Sequence, residues 1–402
     1  MFYGEKLSSL RELNGLSRKE LADKLDITEQ AVWQYENDSI VPRIEILNAF
    51  RNLFNVETKY FFSPIYLSNK VSEEKVAYRA EDRESRKKTK LELTFLNYVD
   101  YFIDYFEQNL VTPDPKIMDI RNKSIEYLKN SQSERAEEIR KIAEFARAEL
   151  SLENNRELMY VLESSGIYII EKNLGSAIDA YSTVTKVGRP FIILGTVKKS
   201  AARRNFDLAH ELGHLLLHAD VDMDILNAAE LKEVEKEAHV FASIFLLPEK
   251  DFTNDFLLLK RKSNPDYYVE LKKKYLVSIA ALEMRAYGLG LMTYQENRYF
   301  WGQLRKKGYK LFEPLDDEIP PMRPGKIRSL FKFVLDKGVD DLPTILQQFS
   351  ILPEFLIRLF SLDNDIFDPY LEIEKDYFEN AQIIDINKFR NQPPSFEGGK
   401  SV

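Results

Sequence analysis

The chain contains no cysteine. Disulfide staples, thiolate metal sites and cysteine nucleophiles are therefore excluded, and a reducing, cytoplasmic setting is the expectation. No stretch approaches the roughly 20 consecutive apolar residues that span a bilayer, so no membrane partner is expected. The opening MFYGEKLSSLRELNG carries charges where a secretory leader needs an apolar core, and secretion is not expected either. A basic excess is also missing. With 57 Lys and Arg against 65 Asp and Glu the net charge is −8, so the chain as a whole does not attract nucleic acid indiscriminately. Histidine is scarce: four are present, all between positions 210 and 239, which points to one place where imidazole chemistry is needed.

What remains is a globular composition, 44% hydrophobic and 30% charged over 402 residues. That length suits about two to three domains. From Lys70 to Glu92, 14 of 23 residues are charged, which reads as a solvated linker or an exposed helical face. Leu91, Phe95, Val99, Phe102, Phe106 and Leu110 then recur at helical spacing, and a second, charged helix is expected over 133–150. Between Gly166 and Thr196 the runs Ile167-Tyr168-Ile169-Ile170 and Pro190-Phe191-Ile192-Ile193-Leu194 read as strands. Helices resume near Asn205 and continue to about Leu291. After a proline-rich break come three short helical patterns at 326–337, 342–349 and 353–362. The fold class expected is mainly α with a small β-sheet (α+β).

Residues 4 to 60 have the layout of a helix-turn-helix bundle. Ser17 and Glu20 form a capping-box pair, Thr28 can cap the next helix, and Val32 and Tyr35 share its inward face. Glu29, Gln30, Trp33 and Gln34 then point outward, where amide side chains such as Gln30 and Gln34 suit adenine. Arg18, Lys19 and Arg43 are the candidate phosphate contacts, with Ser17 and Thr28 beside them. The stretch GLSRKELADKLDITEQAVWQYENDSIVP resembles the bacterial and phage repressor-type (XRE-like) helix-turn-helix family, which implies double-stranded DNA as a partner. Asp26 and Asp38 depart from the pattern, standing where glycine is usual. Residues 1 to 60 carry 8 Lys and Arg against 10 Asp and Glu, so weak non-specific DNA affinity is expected. A helical docking or dimerisation module is the rival reading of this segment.

The second motif is His210-Glu211-x-x-His214, within NFDLAHELGHLLLH. Residues four apart on a helix share a face, so both imidazoles can reach one cation, with Glu211 beside them to take a proton from water. Asn205 is a candidate N-cap, and Gly213 implies that another segment passes close to the helix. A catalytic zinc needs a third ligand and an open position. Among Asp220, Asp222, Asp224, Glu230, Glu233, Glu235 and Glu237, helical geometry selects one. On a helix over 228–247, Glu235 lies within about 60° of Leu231, Ala238 and Ala242, inside the apolar stripe, whereas Glu230, Glu233 and Glu237 face solvent. A carboxylate in a core-facing stripe needs a compensating partner such as a metal ion. His239 and His218, each one turn beyond a ligand, are placed behind the ligands or facing substrate.

FDLAHELGHLLLH followed by EKEAHVFASIFLLPE resembles the ImmA/IrrE-type zinc metallopeptidases, HExxH gluzincins of the bacterial cytoplasm. The resemblance covers about residues 135 to 295 and places the metal-ligand glutamate on Glu235; His239 departs from the family's Asn or Asp. The layout expected is 1–65 helix-turn-helix domain, 66–132 charged linker and helical connector, 133–298 zinc metallopeptidase domain, 299–390 C-terminal helical domain and 391–402 disordered tail. The resemblance implies a zinc endopeptidase (one Zn2+ per chain, Mn2+ as the alternative) that cleaves a DNA-bound repressor or similar regulator and so derepresses genes. Substrate is expected to pair with an edge strand near Phe191–Thr196. A homodimer is left open. The rival function is a non-proteolytic regulator or antitoxin-like protein with a structural or silent metal site.

Overall fold

The structure, a computed structural model, describes residues 1–64, 83–175, 178–197, 200–221 and 223–371. The expected tail at 391–402 and the linker segment 65–82 lie outside these residues. Over the described residues the protein is mainly helical with one three-stranded sheet, as expected.

Four helices form the N-terminal bundle: α1 (Gly4–Leu13), α2 (Arg18–Leu25), α3 (Glu29–Glu36) and α4 (Ile44–Phe54). Local chemistry sets their ends. Ser17 and Glu20 make the reciprocal capping box of α2, and the Thr28 hydroxyl accepts from Ala31 N at 3.1 Å to open α3. Asp26 closes α2 in the left-handed region at φ 52°, which aspartate tolerates better than most residues, so its departure from glycine is accommodated. Val32 and Tyr35 are buried, as their spacing requires.

The charged stretch up to Glu92 enters a long helix, α5 (Arg83–Glu107). It is followed by α6 (Lys116–Asn130), α7 (Arg135–Glu149) and α8 (Leu158–Ser164). The sheet has the order β1 (Tyr168–Lys172), β3 (Pro190–Gly195), β2 (Ala180–Val184); β1 runs parallel to β3, and β2 antiparallel to it. The central strand is therefore β3. This corrects the expectation of an edge near Phe191–Thr196: the edges are β1 and β2, and β2 is a strand that the sequence reading had missed.

Both faces of the sheet are covered at β3 and at the start of β1, which is why these two strands read as unbroken apolar runs rather than alternating ones. Tyr168, Ile170, Phe191 and Ile193 join one core with the N-terminal bundle, α5 and the C-terminal helices α15 (Lys326–Asp336), α16 (Leu342–Phe349) and α17 (Pro353–Phe360). Ile169, Ile192 and Leu194 join a second core with the helices from α6 through α14 (Tyr294–Lys306). The C-terminal trio is fastened to the bundle through backbone: Val56 bridges Ile351, Glu57 N donates to Ser350 O at 2.7 Å, and Leu352 N donates to Asn55 O at 3.0 Å.

Arg189, in the turn before β3, joins α5 to the sheet. Its guanidinium bonds to the fully buried Asp100 and to Glu107 at 2.9 Å. Removing the cation leaves a buried carboxylate without its counter-charge, so Arg189→Ala is expected to cost about 3 kcal/mol, read as a lowered midpoint in urea unfolding.

Candidate functional site

The HExxH segment lies on α9 (Ala201–Leu217), a 17-residue helix whose start differs from the expectation. Asn205 is not its cap but sits inside it, donating to the carbonyls of Asn155 (3.0 Å) and Leu276 (3.4 Å); Ser200 holds the cap position, its hydroxyl drawn off to Asp316 at 2.8 Å. At the other end Arg121 of α6 donates to the carbonyls of Leu215 (3.1 Å) and Ala219 (3.2 Å), satisfying groups that a helix C-terminus leaves open and complementing its dipole.

The second helix of the site, α10 (Ala228–Leu246), opens on an Asn227–Glu230 capping box and lies against α9. Gly213 marks the contact. A Cβ there would lie 3.0 Å from the ring of Phe241, itself fully buried. Gly213→Ala would gain up to about 1 kcal/mol of helix propensity and lose more to overpacking, of order 1–3 kcal/mol. A net fall in melting temperature is expected.

This packing brings the candidate ligands together. His210 Nε2 lies 3.0 Å from His214 Nε2, 3.4 Å separates His210 Nε2 from Glu235 Oε2, and 3.8 Å separates His214 Nε2 from Glu235 Oε1. A tetrahedral ion with bonds of about 2.0 Å needs donors about 3.3 Å apart; the imidazole pair stands at 3.0 Å, and the Glu235 carboxylate turns one oxygen toward each ring. The donor set fits a divalent metal.

His239 stands at the exposed rim of the same cluster. Its Nδ1 bonds to the Glu235 backbone carbonyl at 2.7 Å, so the proton is assigned to Nδ1. His210, Glu235 and His239 each offer a ligand atom, all within 4.8 Å of one another. The sequence reading left His239 behind the ligands or facing substrate; the fold sets it within 4.8 Å of the His210 and Glu235 donors, because one helical turn from Glu235 faces the same opening.

Glu211 is buried on the same turn of α9. Burial pushes its carboxyl up to about 7, against the opposing pull of His210. The β2 strand packs over this turn, with Ser182 Oγ donating to the Glu211 carbonyl at 3.2 Å.

His218 caps the end of α9 and is buried behind His214. Glu237 corrects the helical-wheel expectation: it does not face solvent with Glu230 and Glu233 but bonds to His218 and to Arg135 of α7, which covers that side of α10. Burial alone would raise the Glu237 carboxyl; His218 and Arg135 outweigh it and hold it down at about 2. Sequence reasoning passed over Glu237 and Arg135, since nothing local signals a partner 102 residues away.

In the N-terminal bundle Lys19, Glu29, Gln30, Trp33 and Arg43 are exposed and Gln34 is half-buried. Arg18 is tied to the buried Glu36 at 2.6 Å, a carboxylate that Arg11 shares, so its charge is largely committed within the bundle. The hydroxyls of Ser17 and Thr28 serve as caps.

The structure thus joins a helix-turn-helix bundle to a domain in which a HExxH helix faces a carboxylate-bearing helix. The family models agree. Residues 162–287 match the Peptidase_M78 model, described as an IrrE N-terminal-like domain, and residues 7–61 match a helix-turn-helix model. The chain therefore carries the fused architecture that both motifs resemble. No curated protein matches it. Among the described residues, no helix is long and apolar enough to cross a membrane.

Proposed function

We propose that this protein is a zinc-dependent endopeptidase carried on a DNA-binding head, and that its substrate is a repressor or similar regulator bound to DNA, whose cleavage releases silenced genes. The observation that supports it best is the convergence of His210, His214 and Glu235 to donor separations of 3.0 to 3.8 Å around a spot flanked by the buried Glu211. Two imidazoles and a carboxylate suit zinc, with manganese the alternative ion. Zinc bound there would supply Lewis acidity, polarising the scissile carbonyl and acidifying water. Glu211, with a carboxyl poised near neutrality, takes the proton from the attacking water and hands it to the leaving amine. The open edge of β2, held against α9 by Ser182, offers main-chain groups to an extended substrate. The helix-turn-helix raises the local concentration of any target seated on nearby DNA. Gln30, Gln34 and Trp33 would meet bases, with Lys19 and Arg43 on phosphates and Glu29 at the rim.

The test is metal analysis of the purified chain followed by incubation with repressors encoded beside it. A defined fragment should form, disappear on chelation and return with zinc; cleavage that survives chelation would overturn the assignment. One observation favours a second reading, a regulator with a silent site. His239 offers a ring nitrogen within 4.8 Å of the His210 and Glu235 donors, and a ligand added from there would fill the position that catalysis needs open. A His239→Ala variant that gains cleavage over an inert native chain would establish it.

A further inference from the structure

Behind the candidate ligands runs a chain of polar side chains that the proposed hydrolysis does not use. His214 Nδ1 lies 3.1 Å from His218 Nδ1, and the other nitrogen of His218, Nε2, lies 2.9 Å from Glu237 Oε2. Arg135 completes the chain with two bonds: Nε donates to Glu237 Oε1 at 2.9 Å and Nη2 donates to Oε2 at 2.7 Å. The His218 side chain is 1% exposed, so water does not compete for these bonds.

Proton placement gives the chain a direction. An imidazole whose Nε2 lone pair serves a cation keeps its proton on Nδ1. His214 Nδ1 then donates, and His218 Nδ1 must be bare to accept. A neutral His218 with a bare Nδ1 carries its proton on Nε2, aimed at Glu237, and an ionised carboxylate is an acceptor only. Arg135, cationic at any working pH, matches that carboxylate with a fork of two donors. Reversing the direction would put a proton on His214 Nε2 and remove it as a ligand. His210 has no such support: its Nδ1 is buried with no hydrogen-bond partner.

Resting on the metal-site reading above, we infer that His218, Glu237 and Arg135 are positioning residues that fix the tautomer and ring orientation of His214, so that α7 sets the metal affinity of a site on α9 and α10. The relay explains two features that the hydrolytic mechanism leaves idle: a buried histidine one turn past the motif, and a carboxylate two positions past Glu235 turned the opposite way.

The experiment is zinc affinity of the full chain by chelator competition. Glu237→Gln, a partly exposed and shape-conserving change, should weaken binding about 10- to 100-fold, as should His218→Leu. Because Glu237 acts through His218, the double variant should bind no more weakly than His218→Leu alone, whereas independent structural effects would add. Melting of the zinc-free proteins checks that Glu237→Gln folds as the native chain does. Affinity of Glu237→Gln within about twofold of native, or additive losses in the double variant, would overturn the relay while leaving the site reading intact. A native chain that takes up no zinc would overturn both.

Discussion

Glu211→Gln should lower peptide-bond cleavage by about 100- to 10,000-fold while zinc content and DNA binding stay at native levels. Glutamine preserves the shape of the side chain and its place in the buried turn of α9, but it cannot accept a proton. The environment argues for this role: burial holds the carboxyl at about 7, where a general base is both ionised often enough and basic enough to work near neutral pH. A structural metal site has no use for a carboxylate between its two histidines. Cleavage by the variant within about tenfold of the native rate would rule out Glu211 as the base. Loss of zinc together with activity would show instead that the substitution disturbed the helix.

Glu235→Ala should weaken zinc binding beyond the roughly 10- to 100-fold that outer groups contribute, since it removes a donor rather than a support. Glu233→Ala, two residues earlier and exposed, is the matched control and should bind zinc like the native chain. The comparison is read by dialysis against buffered zinc. Native affinity in Glu235→Ala would transfer the third position to His239, the other side chain that reaches the cluster.

Both variants aim at residues that periodicity and spacing had already singled out, and the reason is physical. HExxH is a local pattern, and a helix converts local spacing directly into shared direction. That Glu235 would lie beside the two histidines was legible because a carboxylate in an apolar stripe is conspicuous. Ser17, Thr28 and the inward pair Val32 and Tyr35 were legible for the same reason, each being a contact within a turn or two. The failures were all long-range. The β2 strand, AYSTV, carries no apolar run because it is only half covered, and nothing in the sequence showed that β3 would sit between it and β1. Asn205 looks like a cap until its amide is seen bonding to Asn155 and Leu276, partners 50 and 71 residues away. Glu237 was read as solvated because a helical wheel knows one packing partner, and α10 has a second in α7.

The backbone bridge between Val56 and Ile351, with the shared core around it, fastens the N-terminal bundle to the C-terminal helices and the sheet. If α3 meets DNA as proposed, a duplex seated there would present its neighbouring base pairs to the site on α9 and α10 at a set distance and rotational phase. Operators displaced by half a helical turn would carry their repressor to the far side of the double helix. Target choice would then depend on promoter spacing as well as on the amino acids around the scissile bond.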